Sequence, residues 1–245
     1  MFEWVMDPNA WLALGTLTIL EIVLGIDNII FLSLVVAKLP QNQQNAARRF
    51  GLAGAMLMRL GLLASISWVM QLTTPLFSVI GHAVSARDLI LLGGGMFLIW
   101  KSSMEIHESV EGEHGEEGAK GPVLSFSSAI IQIMMLDIIF SIDSVITAVG
   151  LSDHLFIMMA AVIISVLVMM FAARSIGDFV NRHPSVKMLA LSFLILVGFT
   201  LILESVHIEI PKGYIYFAMF FSMGVETLNL LRSKKKREAK VNHPE

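Results

Sequence analysis

The chain contains no cysteine among its 245 residues. That excludes disulfides, thiolate metal centres and redox thiols, and leaves the compartment open. Charge is scarce as well, at 15% Asp, Glu, Lys and Arg against 56% apolar residues, a balance that belongs in a lipid bilayer rather than in a water-soluble core. No glycine-rich Lys motif for nucleotide phosphates occurs, so transport chemistry driven by a nucleotide has no site to start from. The N-terminus carries Glu3 and Asp7 but neither Lys nor Arg, and the first apolar run is too long and contains acids, so a cleaved signal peptide is not expected.

What the chain does have is a series of apolar runs of about twenty residues, the length that crosses a bilayer as a helix. Seven spans are predicted: 11–36, 46–70, 88–103, 126–151, 155–171, 186–203 and 214–231. In the third, Gly93-Gly94-Gly95 permits either close helix approach or a local break. Of the 17 Lys and Arg residues, only Arg87 and Lys212 fall on one side of this arrangement and Arg59 within the second span, while all the others lie on the opposite side. The positive-inside rule then puts the N-terminus outside and the C-terminus in the cytoplasm. Trp4, Trp11, Tyr214 and Tyr216 fall near the outer boundaries, where amphipathic rings settle.

A short string with two acids occurs twice inside these runs. The first copy is Glu21-Ile22-Val23-Leu24-Gly25-Ile26-Asp27-Asn28 and the second is Asp137-Ile138-Ile139-Phe140-Ser141-Ile142-Asp143-Ser144. A carboxylate at mid-bilayer costs about 2.5–3.5 kcal/mol on insertion scales, so acids kept there in duplicate register imply a cation pathway. Beyond the strings, Met58-Arg59 answers to Ala173-Arg174, and the run from Gly95 to Ile99 resembles that from Gly198 to Ile202, with Lys101 answered by Glu204. The unit is three spans, an odd number, so the second copy enters the membrane from the opposite side. The expected fold is therefore an all-α polytopic membrane bundle: a 3+3 inverted repeat plus one extra C-terminal helix. Its parts are a first repeat over 1–104, an acidic cytoplasmic linker over 105–124, a second repeat over 125–212, the seventh span over 213–231 and a basic cytoplasmic tail over 232–245.

Inverted repeats bring equivalent segments face to face near the midplane, where secondary transporters hold their ions. Residues six apart on a straight helix are turned by about 120° and separated by about 9 Å, so Glu21 and Asp27 either do different jobs or flank an unwound turn at Gly25, with Ser141 its counterpart. Asp27 and Asp143 are assigned as central ligands with Asn28 and Ser144 as neutral oxygen donors, and Glu21 and Asp137 as second ligands or proton acceptors. An all-oxygen set without Cys suits Mg²⁺, Ca²⁺ or Mn²⁺ better than Zn²⁺ or Cu⁺. The paired methionines at 134–135, 158–159 and 169–170 are read as packing residues, since neighbours on a helix point apart.

These doubled strings, the seven spans and the closing Met223-Gly224-Val225-Glu226-Thr227-Leu228-Asn229 resemble the TerC family of integral membrane proteins, in its short bacterial form without appended regulatory domains. The resemblance runs from about Trp11 to Leu231. It implies a link to manganese export and metal homeostasis, a place in the bacterial inner membrane, and ion-binding roles for Glu21, Asp27, Asn28, Asp137, Asp143 and Ser144. The tellurite of the family name is an anion that these acids would repel.

Arg59, deep in the second span, can neutralise a site carboxylate and exchange partners during transport, or can simply lock helices together. Lys101 and Glu204 are expected to snorkel to the interface. Glu226 stands with Asn229 one turn on, either as a charge partner or second ligand shell of the site or as an outer packing residue. The linker, with His107, His114 and its many acids, reads as a solvated segment that can also gather divalent ions weakly. The run 234–237 sets topology and meets anionic lipid rather than nucleic acid.

The expected activity is export of a divalent cation, manganese foremost, by alternating access and coupled to protons. The protein is expected not to be an enzyme: an aspartyl dyad of Asp27 and Asp143 would leave Glu21 and Asp137 without a role. It needs no cofactor, the cation being cargo. The alternative is a membrane accessory protein that delivers metal to secreted enzymes or partner complexes without net flux. Expected partners are the bilayer and divalent ions, with room for a homo-oligomer or for secretion-linked proteins.

Overall fold

The computed structural model describes residues 8–79, 81–111, 124–151, 155–208 and 210–242, and the side chains of Asp27 and Asp143 lie outside the described set. The chain runs α1 (Pro8–Ala37), α2 (Gln41–Ala64), α3 (Ile66–Gln71), β1 (Pro75–Val79), β2 (His82–Ser85), α4 (Ala86–Glu111), α5 (Phe126–Leu151), α6 (Leu155–Arg182), α7 (Pro184–Ser205) and α8 (Lys212–Asn242). Long helices are what hydrocarbon demands, because each satisfies its own backbone donors and acceptors. Proline sets several starts. Pro40, at φ −54° and ψ 142°, separates α1 from α2, and Pro184 opens α7 where a missing N–H costs nothing.

Six helices among the described residues are long and apolar enough to cross a membrane: α1, α4, α5, α6, α7 and α8. The expected span over 46–70 is not one of them. Arg48, Arg49 and Arg59 dilute its apolar character, and the helix breaks at Ser65, whose φ of −97° and ψ of 33° leave the helical basin while its hydroxyl bonds the Gly61 carbonyl. Between α3 and α4, where no strand was expected, β1 and β2 pair antiparallel. Val79 lies opposite His82 across a two-residue turn whose Gly81 has φ +82°, a conformation open to glycine.

Other boundaries move too. The third helix continues to Glu111, so the first seven residues of the expected linker are helical, and residues 112–123, His114 among them, lie outside the described residues. The seventh expected span is part of a longer α8 that runs on into the basic tail. Both acidic strings are continuous α-helix through Gly25 and Ser141.

Small residues decide which helices meet. Along α1 and α6, Gly25 faces Met169 and Gly177 faces Ser33, so the two run parallel. Along α2 and α5, Gly51 faces Ile133 and Gly54 faces Met134, again in parallel. Helices α4 and α7 cross at Gly95 and Gly198, where a Cβ on Gly95 would stand 2.6 Å from the Gly198 carbonyl oxygen and one on Gly198 would stand 2.9 Å from that of Gly95. Ile99 and Ile202 flank this contact from either side. Polar groups collect inside, with Glu21, Arg59, Asp137 and Glu204 all buried, whereas Phe171, Phe217, Phe221 and Leu12 face outward. A belt of large exposed apolar side chains of this kind is what lipid contact requires.

Because backbone lies against backbone at the α4–α7 crossing, Gly95→Leu is expected to force the helices apart and destabilise the fold by about 1–3 kcal/mol. Gly93→Ala, which meets nothing within 4 Å, serves as the control. Thermal unfolding of detergent-purified protein checks both, and equal Tm values for the two variants would refute the close crossing.

Candidate functional site

The interior contains a cation, but it is covalently attached. Arg59, from α2, projects between α1 and α5 and lies almost wholly buried. Its Nη1 donates to Glu21 Oε2 at 2.6 Å, its Nη2 donates to Asp137 Oδ1 at 2.6 Å, and its Nε reaches both Asp137 oxygens at 3.2 Å. A planar guanidinium has donors on two edges and can serve two carboxylates at once, which a lysine could not do with the same fixed geometry. Asp137 also accepts from Asn28 Nδ2 at 3.0 Å and from Ser141 Oγ at 3.2 Å. Ser144 donates to the Ser141 carbonyl at 3.2 Å and also interacts with the Glu21 carboxylate.

Of the expected ligands, Glu21, Asn28, Asp137 and Ser144 are thus brought together, although Glu21 and Asp137 lie 116 positions apart in the chain. Asp27 and Asp143 belong to the same two helices, and their side chains lie outside the described residues. Among the described residues, no group of three or more His, Asp or Glu side chains is arranged to hold a metal ion. Glu226 is elsewhere, on α8, where its Oε2 receives Asn229 Nδ2 at 3.4 Å. Arg174, the sequence counterpart of Arg59, is exposed and stands 3.9 Å from Asp178 on its own helix, so only one of the two arginines enters the interior.

Beside the guanidinium opens a cavity of about 60 Å³, room for a few water molecules. Leu24, Arg59, Ser144, Thr200, Glu204 and Tyr216 are among the residues that line it. Glu204 was expected to snorkel, but it is buried and lines this cavity in company with Tyr216 of α8, so it does not reach the interface. Its charge inside an apolar run was the available signal. Lys101 likewise does not simply reach for solvent, since its Nζ lies 3.6 Å from Glu105.

Charged clusters tie the two ends of the bundle. At the end where α1 finishes, Lys38 bridges Glu105 and Glu108 of α4, the latter at 3.0 Å, and Arg48 meets Asp178 at 3.4 Å. At the other end Asp88 Oδ2 accepts from the Ser85 backbone and hydroxyl at 2.9 and 2.8 Å and stands 3.2 Å from His207 Nε2. Burial works against the Lys38 ammonium, yet hydrogen bonds and charge from Glu105 and Glu108 outweigh it and hold its pKa above the ordinary lysine value of 10.5.

The family model described as "Integral membrane protein TerC family" matches residues 6–241. The chain is 77% identical over 235 residues to the UPF0053 inner membrane protein YgdQ of Escherichia coli (strain K12), covering 96% of this chain and 98% of that one. It is 58% identical to a UPF0053 protein of Haemophilus influenzae, covering 94% and 97%. With the UPF0053 protein YegH of Escherichia coli (strain K12) it shares 50% identity over 94% of its own length and 44% of the relative's. No solved structure matches the chain at a significant level.

Removing the shared guanidinium leaves two buried carboxylates facing each other, so Arg59→Gln is expected to cost about 3–5 kcal/mol, read as a fall in Tm. Adding Glu21→Gln and Asp137→Asn to that variant should recover most of the loss, and no recovery would mean that Arg59 stabilises by packing alone. For Lys38, whose folded pKa is raised, the stabilisation is complete below the unfolded value and fades as pH climbs through the folded one. The Tm difference between wild type and Lys38→Met should therefore hold constant up to about pH 10.5 and shrink only above it.

Proposed function

As the chain belongs to the TerC family of integral membrane proteins, we propose that it exports a divalent metal cation, manganese foremost, through the carboxylates of α1 and α5 by alternating access. The carrying observation is Arg59 seated between Glu21 and Asp137 at 2.6 Å from each. Two carboxylates that converge on one positive charge form a site of cation chemistry, and a guanidinium that fills it can be exchanged for a mobile ion. Oxygen donors from Asn28 and Ser144 suit a hard divalent ion of the Mn²⁺ or Mg²⁺ kind. Asp27 and Asp143 stand six residues further along the same continuous helices and are the remaining acids of the two repeated strings.

Alternating access is supported by how the helices meet. Parallel packing of α1 on α6 is answered by parallel packing of α2 on α5, and α4 meets α7 through the corresponding pairs Gly95/Gly198 and Ile99/Ile202. An inverted repeat of two three-helix units, with α8 as the extra helix, produces those pairings. In this arrangement α2 crosses as the second span, its Arg59 neutralised by Glu21 and Asp137. The relative YgdQ is named an inner membrane protein, and the same membrane is assigned here, with the N-terminus outside and the basic tail in the cytoplasm.

Outward movement of two charges against 100 mV costs about 4.6 kcal/mol. Inward protons, exchanged on the same carboxylates, are the source of that energy in this scheme.

The test is Mn²⁺ movement in proteoliposomes holding the purified chain and an interior metal-sensitive dye, with a proton gradient imposed. Wild type should carry the ion, and Asp27→Asn and Asp143→Asn should each lose most of the flux while eluting from size exclusion like wild type. Collapsing the proton gradient at fixed metal gradient should stop transport, and unaffected flux would remove the coupling. Absence of wild-type flux with every divalent ion would favour a metal-delivering accessory protein instead.

A further inference from the structure

Cation entry into the proposed site poses a problem. The two carboxylates that would receive the ion are already occupied by Arg59 at 2.6 Å, and a divalent ion and a guanidinium cannot share that space. Arg59 must leave as the ion arrives. Released into an apolar interior without a counter-charge, the guanidinium would be a barrier to the very step it permits. It therefore needs a second anion within reach of a rotating side chain whose stem stays on α2.

The cavity beside Arg59 supplies one. Arg59, Ser144 and Glu204 all line it, together with Thr200 and Tyr216. Glu204 is 8% exposed, a buried carboxylate from α7 in a wall that is otherwise mostly apolar. At about 60 Å³ the cavity has room for a few waters that a moving guanidinium can displace.

We infer that Glu204 is the second seat of Arg59: the guanidinium rests on Glu21 and Asp137 when the site holds no ion, and swings to Glu204 when a divalent cation takes its place. This rests on the cation-transport function proposed above. It makes Glu204 a positioning residue, which acts on the cation through Arg59. It also accounts for the mismatch between the halves. Sequence position sets Glu204 opposite Lys101, an acid against a base, and the acid lines the same cavity as Arg59.

The test is equilibrium binding of Mn²⁺ to the full chain in detergent, read as Kd for wild type, Glu204→Gln, Arg59→Gln and the double variant. Without Glu204 the guanidinium has nowhere to go, so Glu204→Gln should weaken Mn²⁺ binding by about tenfold or more. With Arg59 replaced there is nothing to rehouse, so adding Glu204→Gln should change Kd by less than about twofold. Glu204→Asp, which keeps the charge, should bind more tightly than Glu204→Gln. Should Glu204→Gln fail to elute as a single folded species, the same cycle is run with Glu204→Asp and Arg59→Lys, which keep both charges and change only reach. Wild-type affinity in Glu204→Gln would overturn the inference. So would an equal loss in the presence and absence of Arg59, since that would make Glu204 a direct ligand of the cation. Wild type that binds no divalent ion would instead remove the transport reading on which the inference depends.

Discussion

One arginine shared by two carboxylates organises this molecule. Arg59 belongs to the helix least suited by composition to hydrocarbon, and Glu21 and Asp137 belong to two helices that are otherwise strongly apolar. None of the three charges is at ease in a low-dielectric interior alone, and together they settle much of one another's cost. The bridge fixes α2 against both α1 and α5 and so sets the depth and rotation of three helices at once. Asn28 and Ser141 saturate further lone pairs of Asp137, a requirement for any polar group so deeply placed.

Around that centre, close packing rather than water exclusion holds the helices, since lipid tails are as apolar as leucine. The contacts at Gly25, Gly51, Gly95, Gly177 and Gly198 let helices approach to distances that side chains would forbid. Charged residues too polar for the middle are gathered at the two ends, Lys38 with Glu105 and Glu108 at one and Asp88 with His207 at the other. The resulting body is polar in the middle and at its caps and apolar over its flanks. A polar centre wrapped in an apolar shell is costly unless the centre has work to do, and here that centre adjoins a cavity.

Much of this was legible in the sequence because it rests on composition and local spacing. Apolar runs gave most of the helices, and the repeated acidic string singled out Glu21 and Asp137 without any knowledge of their contact. The weaker points have physical causes. The expected span over 46–70 ran through Ser65, where the helix breaks, because no proline stands there to mark the break. The hairpin at 75–85 has no polar turn dipeptide and little alternation to announce it. Glu204 was placed at the interface because a residue near a helix end can usually reach water, and only its neighbours show that it does not.

Sequence alone determined that the chain is an integral membrane bundle and that its interior is acidic in two matched places, since hydropathy and insertion cost depend on residue type and spacing. Tertiary structure decided which charges meet. Arg59 and Arg174 are equivalent on paper, yet one is buried between two carboxylates and the other is exposed beside Asp178. That choice depends on how α2 and α6 are rotated against their neighbours. Rotation follows from packing among small residues far apart in the chain, and no local pattern encodes it.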